Sequence, residues 1–128
     1  MKRVWVALLA VLLTACTPLL HIDRLGIHKQ IVPGGQATVD AGNVTYMLGN
    51  LLAGHRTTHG AVFRNLPAMY VGETFFTTGF MGRSLIKWVV VNKVVTTSNS
   101  AGQLAGYPLV LQTSMPGGAR LLVYCQRA

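Results

Sequence analysis

Acidic residues are scarce in this 128-residue chain, which has three of them against eleven lysines and arginines. The net charge of +8 favours anionic surroundings such as a membrane surface, a phosphate-rich wall or nucleic acid. The basic residues are scattered, however, and no aromatic residues alternate with them in a stripe, so nucleic-acid binding is not predicted. Only Asp23, Asp40 and Glu73 could supply the carboxylate of a catalytic triad.

The N-terminal apolar run is too short to span a bilayer, because Val4 to Leu13 has ten residues where about 20 are needed. It follows a basic start and precedes Leu13-Thr14-Ala15-Cys16, an order that predicts a signal peptide over residues 1–15. Leu-Thr-Ala-Cys resembles the bacterial lipobox, which implies that Cys16 is a lipid anchor; a plain signal peptide or an uncleaved signal anchor is the alternative. Each of these predicts an extracytoplasmic protein, with residues 16–21 as a short tether.

Cysteine is rare as well, with Cys16 and Cys125 alone. If Cys16 is lipidated or removed, no intramolecular disulfide can form and the apolar core must stabilise the fold. Cys125 lies in an apolar C-terminal segment and is interpreted as a small core residue.

What the sequence does contain is a series of short apolar segments separated by turn residues, which predicts a single all-β domain over residues 22–128. About eight strands at regular spacing indicate a closed β-barrel with one or two short helical turns. Pro67 limits one such turn, within 62–70. The segments interpreted as strands are Ile22–Ile31, Gln36–Asp40, Leu48–Ala53, Thr74–Thr78, Leu85–Thr96, Leu109–Thr113 and Arg120–Cys125.

Three polar residues at strand ends are candidates for chemistry. His55 follows a buried apolar segment, Ser114 follows another, and Arg120 opens the last strand. None of the three acidic residues lies in a recognisable triad motif, and a lone serine at such a place is commonly a turn residue. The residue types alone leave the function open.

Metal binding has little support in the sequence. His55 and His59 have the spacing of helical metal ligands, but Gly54 and Gly60 argue against a helix there. Neither an HExxH nor a CxxC motif is present. No metal site and no cofactor are therefore expected.

Three motifs carry a resemblance to sortases of the class E and F type. The first is Gly54-His55-Arg56-Thr57-Thr58-His59-Gly60-Ala61-Val62-Phe63, followed by Leu66 and Gly72-Glu73, which resembles the segment around the sortase histidine. The second is Leu111-Gln112-Thr113-Ser114 with Pro116, where the family has cysteine after the threonine, and the third is Arg120-Leu121-Leu122-Val123. The similarity runs in order from about residue 22 to the C-terminus.

The resemblance implies an eight-stranded sortase barrel in which His55 and Arg120 are catalytic and Ser114 occupies the nucleophile position. It implies that His59 and Thr113 shape the substrate site. In the family, a cysteine thiolate attacks an LPXTG-like sorting-signal peptide, and an amine of peptidoglycan or a pilin resolves the intermediate. The implied partners are these two substrates and, through the N-terminus, a membrane of a Gram-positive-type envelope.

Serine in place of cysteine predicts low or absent activity, because a hydroxyl loses its proton several pH units above a thiol. Replacement by the Cys125 thiol is disfavoured, since five residues of strand separate it from Arg120 by about 16 Å and place it on the opposite face. Shortened segments at 40–49 and 114–120 imply a smaller groove. Three hypotheses stay open: a transpeptidase scaffold with an altered nucleophile, a non-catalytic protein that binds sorting peptides or cell wall, and a structural module.

Overall fold

Eight strands form a closed barrel in the computed structural model, which describes residues 17–97 and 106–128. The strands are β1 Leu19–Ile22, β2 Ile27–Pro33, β3 Val44–Met47, β4 Leu51–Ala53, β5 Thr74–Phe80, β6 Arg83–Thr96, β7 Leu109–Ser114 and β8 Arg120–Arg127. They follow the order β1-β2-β3-β4-β7-β8-β6-β5, and β5 pairs with β1 to close the barrel. The predicted all-β, closed eight-stranded barrel is confirmed.

The barrel begins before the predicted boundary at residue 22. Leu19–Ile22 forms β1, which pairs with both β2 and β5, and Leu20 is fully buried. Part of the predicted tether at residues 16–21 is therefore a strand of the barrel. The predicted signal peptide at residues 1–15 and the predicted anchor Cys16 lie outside the described residues.

The interpretation of Gln36–Asp40 as a strand is wrong, because this segment forms a short helix, α1. Strands β2 and β3 pair in parallel, so the chain must return to the start of the sheet between them, and α1 lies in that crossover. The Gln36 side chain donates a hydrogen bond to Asp40 one turn later, at 2.9 Å. Three short 3₁₀ turns, at Asp23–Leu25, Leu66–Ala68 and Pro116–Gly118, complete the described helical structure.

The barrel interior holds the main hydrophobic core. Trp88 and Phe63 are fully buried there, and the Trp88 indole donates a hydrogen bond to the Thr77 hydroxyl at 3.0 Å. Large aliphatic side chains from most strands complete this core: Leu20, Ile22, Ile31, Leu52, Leu109, Leu111, Leu121 and Val123. A tryptophan buried with its N–H satisfied contributes large apolar area without an unpaired donor.

A second apolar cluster lies on the outer face of β4, β7 and β8 and attaches α1 to the barrel. Val39 of α1 packs in this cluster with Leu51 and Ala53 of β4. All three residues of β4 are consequently buried, as expected for a strand covered on both faces. Because Val39 precedes Asp40, this packing positions the backbone of Asp40. Within residues 17–97 and 106–128, no helix has the length and apolar character that crossing a membrane requires.

Candidate active site

The candidate site forms where three neighbouring strands meet at one end of the barrel. Strands β4 and β7 run in parallel, with Ala53 paired with Gln112, so the residues that follow each strand emerge at the same edge. Strand β8 runs antiparallel to β7 and starts at this edge, with Arg120 opposite Ser114. This topology brings the three sequence motifs together, although 65 positions separate His55 from Arg120 along the chain.

A small cavity of about 200 Å³ lies at this edge. His55, Thr113, Ser114 and Arg120 line it, together with side chains of α1 and β3 that form its other wall. Ser114 is exposed, whereas His55 and Arg120 are partly buried. The structure therefore places four of the predicted site residues around one cavity.

His59 does not line this cavity but contacts His55, with ring centroids 4.5 Å apart. The turn that carries both rings is held by backbone hydrogen bonds from Phe63 to His55 at 3.0 Å and from Ala61 to Thr58 at 2.9 Å. His59 adopts a left-handed backbone conformation with φ of 50°, which is uncommon outside glycine but which histidine, like asparagine and aspartate, adopts more readily than other residues. His59 thus lies beside the catalytic candidate rather than across the cavity from it.

Gly54 is required by the close approach of this turn to the end of β4. A Cβ atom at position 54 would lie 2.6 Å from the Val62 side chain and 2.9 Å from the Phe63 ring. Phe63 is fully buried in the core, so the contact cannot relax outward. The glycine before the histidine therefore fixes the turn against the core.

The carboxylate partner that the sequence did not identify is Asp40. Its Oδ1 lies 2.8 Å from Nε2 of His55, and Oδ1 also accepts the hydrogen bond from Gln36. These contacts, the His55 hydrogen bond first and the Gln36 bond second, lower the pKa of the Asp40 carboxyl below its usual value. Asp40 was predicted to be in a strand, and the only sequence signal for its role was that the chain has so few acids.

The arrangement differs from a Ser-His-Asp triad. Asp40 lies at Nε2 of His55, and the hydroxyl of Thr58 lies 3.3 Å from Nδ1, so both ring nitrogens have partners. In a triad the acid and the serine occupy opposite nitrogens. Among the described residues, no hydrogen bond joins the Ser114 hydroxyl to His55.

Two further contacts hold the strand ends together. The buried Thr113 hydroxyl donates to the Gly54 carbonyl at 2.8 Å, which links the end of β7 to the end of β4. Arg56 donates from Nε to the Ser114 carbonyl at 2.8 Å. Neither contact was predicted, because each depends on the pairing of strands that are distant in sequence.

Three possible metal ligands lie close together beside the cavity. One ligand atom each from Asp40, His55 and His59 lies within 4.8 Å of the others. The predicted absence of a helix at His55 and His59 is confirmed, but the turn itself brings the two rings together. A turn can therefore bring two histidines four residues apart into contact without a helix.

Cys125 lies away from the site, in the core. It pairs with Leu109 at the opposite end of β7 from Ser114, and it is fully buried. Burial raises the pKa of its thiol to about 12, so it holds its proton at neutral pH. The interpretation of Cys125 as a core residue is confirmed.

The barrel has the fold of solved sortase structures. It matches sortase A from Corynebacterium diphtheriae, a lid mutant, with a TM-score of 0.75 and 21% identity over 88% of this chain and 70% of that chain. It matches sortase C-1 from Actinomyces oris with a TM-score of 0.75 and 20% identity, over 87% and 73% of the two chains. It matches the pilus-related sortase C of Group B Streptococcus with a TM-score of 0.76 and 19% identity, over 88% of this chain and 66% of that chain.

No family model matches the sequence. No curated protein matches it either. The likeness at this level of identity shows the fold, and the predicted sortase-type barrel is confirmed.

Proposed function

We propose that this protein is a sortase-like protein of the cell envelope that binds a sorting-signal peptide in the cavity between His55 and Arg120, with little or no transpeptidation. The observation that carries the proposal is the convergence of His55, Ser114 and Arg120 on one cavity. These are the three positions that the resemblance assigns to acid–base catalysis, the nucleophile and oxyanion stabilisation. The solved sortases of the same fold support this choice of chemistry.

The low activity follows from Ser114. A hydroxyl needs a general base in hydrogen-bond contact, whereas a thiol ionises near neutral pH beside a histidine. Both nitrogens of His55 contact Asp40 and Thr58 instead. Loss of a nucleophile removes orders of magnitude in rate while binding contacts remain. A peptide therefore binds beside Arg120 without efficient acyl transfer.

The family's second substrate is an amine, so the acceptor is an amino group of peptidoglycan or a pilin. The net charge of +8 favours an anionic wall or membrane surface around the protein. Export by the signal peptide and anchoring through Cys16 belong to the same proposal, as does the relation to class E and F sortases.

A second candidate function is serine-dependent hydrolysis or acyl transfer, and the Asp40–His55 contact favours it. A carboxylate beside the imidazole stabilises the imidazolium that forms when serine is deprotonated. For this role, Thr58 must leave Nδ1 of His55 so that Ser114 can reach that nitrogen. Activity that is abolished by both Ser114→Ala and Asp40→Asn would identify this function.

The test compares the full chain with Ser114→Cys in a fluorogenic assay, with an LPXTG-like peptide and an amine acceptor. We expect the unchanged protein to bind the peptide and to cleave it slowly or not at all, and Ser114→Cys to gain cleavage and transfer. Ser84→Cys, which adds a thiol at an exposed position of β6, is the matched control and should gain nothing. Absence of both peptide binding and gained activity in Ser114→Cys would refute the proposal.

A further inference from the structure

We infer that Asp40, His55 and His59 form a binding site for a divalent transition metal ion, with Zn²⁺ as the best match to two imidazoles and one carboxylate. Of the three ligands, His55 lines the cavity, whereas Asp40 and His59 do not. Two histidines and one carboxylate are a recurrent ligand set for zinc and for other first-row metals with open coordination positions.

The distances suit such an ion after a small adjustment. Zinc bonds to imidazole nitrogen and carboxylate oxygen are about 2.0–2.2 Å, which places neighbouring ligand atoms roughly 3.3 Å apart in a tetrahedron. Nε2 of His55 and Oδ1 of Asp40 are 2.8 Å apart, and the set of three lies within 4.8 Å. His59 and Asp40 are exposed, so their side chains can rotate to close the remaining gap.

The surrounding hydrogen bonds orient the ligands. The Thr58 hydroxyl lies 3.3 Å from Nδ1 of His55 and 3.0 Å from Nδ1 of His59. A hydroxyl oxygen has two lone pairs, so it can accept an N–H from each ring and leave both Nε2 atoms as ligands. The Gln36 side chain also donates a hydrogen bond to the Asp40 carboxylate. Such outer partners are typical of metal-binding histidines and carboxylates.

The backbone brings the ligands from two separate segments into one position. Gly42, just after α1, lies so close to the His59 turn that a Cβ there would be 2.7 Å from the His59 carbonyl oxygen. His59 itself has the left-handed backbone with φ of 50°. The close approach of these two backbone segments places Asp40 and His59 next to each other.

Metal binding has one consequence that rests on the proposed function. The ion occupies Nε2 of His55, one of the two nitrogens that could donate a proton to a leaving amine. Zn²⁺ therefore competes with acid–base chemistry at this histidine, and the loaded protein is inactive even when a thiol stands at position 114.

Binding is tested without any peptide. The full chain is titrated with ZnCl₂ by calorimetry and with Co²⁺ by visible absorption, since Co²⁺ reports a tetrahedral site through its colour. We expect one ion per chain, and a loss of affinity of more than about 100-fold in His59→Asn, because removal of a ligand exceeds the 10–100-fold effect of an outer partner. Asparagine tolerates the left-handed backbone, so this variant keeps the turn.

Three further variants test whether the metal binds at Asp40, His55 and His59. Thr58→Val should weaken binding by about 10–100-fold through loss of the hydroxyl that orients both rings. His28→Ala is the matched control, because His28 belongs to the other histidine pair, with His21 at 3.1 Å, and should bind metal as the unchanged protein does. Cys16→Ala, the second control, should also leave binding unchanged.

Unchanged binding in His59→Asn, or binding lost in His28→Ala, would overturn the metal site. If His59→Asn loses its thermal transition, Asp40→Asn replaces it with the same expected loss and the same criterion. Peptide assays separate the two proposals. If the protein binds Zn²⁺ but Ser114→Cys neither binds nor cleaves the peptide, the metal site is supported and the proposed function is refuted. If Ser114→Cys gains cleavage that Zn²⁺ does not inhibit, only the competition between Zn²⁺ and acid–base chemistry at His55 is refuted.

Discussion

Replacing Thr113 by valine should destabilise the barrel, because the Thr113 hydroxyl makes a buried hydrogen bond that joins the two strand ends of the site. The hydroxyl donates to the Gly54 carbonyl at 2.8 Å, and the residue is 2% exposed. Valine keeps the shape but leaves that carbonyl without its donor, a loss of about 1–3 kcal/mol. For a domain of this size the melting temperature should fall by roughly 5–15 °C.

Thr45 provides a matched substitution with the opposite expectation. It is fully buried in β3, and its hydroxyl has no hydrogen-bond partner among the described residues. Thr45→Val removes a buried polar atom without orphaning another, so the free energy of unfolding should stay the same or rise.

Urea unfolding of the two variants, with Thr113→Ser as a control that keeps the hydroxyl, gives both free energies. Equal stability of Thr113→Val and the unchanged protein would refute the structural role of this hydroxyl. If Thr113→Val instead weakened peptide binding at unchanged stability, the predicted substrate role of Thr113 would be the correct one.

Three other outcomes are expected. The Arg24 guanidinium holds the pKa of buried Glu73 below its ordinary value of 4.5, so the stability from this pair is present above about pH 4.5 and is lost as pH falls through the lower folded pKa. In urea unfolding at a series of pH values, Glu73→Gln should lose less stability toward acid pH than the unchanged protein does. An identical loss of stability in the two proteins would contradict this. In a Cys16→Ala background, Cys125 should react with a thiol reagent only after unfolding, because its pKa is about 12 and it is buried; rapid labelling of the folded protein would contradict this. Gly54→Ala should cost about 1–3 kcal/mol through overpacking against Val62, measured by thermal unfolding, and an unchanged melting temperature would exclude that clash.

The strands were predictable because their apolar segments carry their own signal. Leu109–Thr113 and Arg120–Cys125 were placed within two residues of the observed β7 and β8. Turn residues between them, such as Pro116, marked the boundaries locally. Local pattern therefore located β5 to β8 and three of the residues around the cavity. It failed in the first half of the chain, where Val44–Met47 was not predicted as a strand and a 3₁₀ turn at Asp23–Leu25 interrupts the predicted strand Ile22–Ile31.

The partner of His55 was not predictable from local pattern. Asp40 reaches it because β2 and β3 are parallel and the crossover helix packs its Val39 on the outer face of the barrel. With one buried apolar residue in α1, no helical periodicity was visible over five positions. The His55–His59 contact was missed for a similar reason, since it depends on a turn conformation and not on a repeat.

The short connection between β7 and β8 makes the site more sensitive to chain length than to residue type. Met115 donates to the Ala119 carbonyl at 2.8 Å across this connection, which sets Ser114 opposite Arg120. Side chains alternate faces along a strand, so a shift of one residue in the pairing would turn Arg120 away from the cavity. Cysteine, serine or alanine at position 114 leaves the pairing of residues 114 and 120 unchanged, whereas insertion or deletion of one residue at 115–119 shifts that pairing. Under the proposed function, a point substitution at position 114 would therefore change the chemistry of the site while its other residues stay in place.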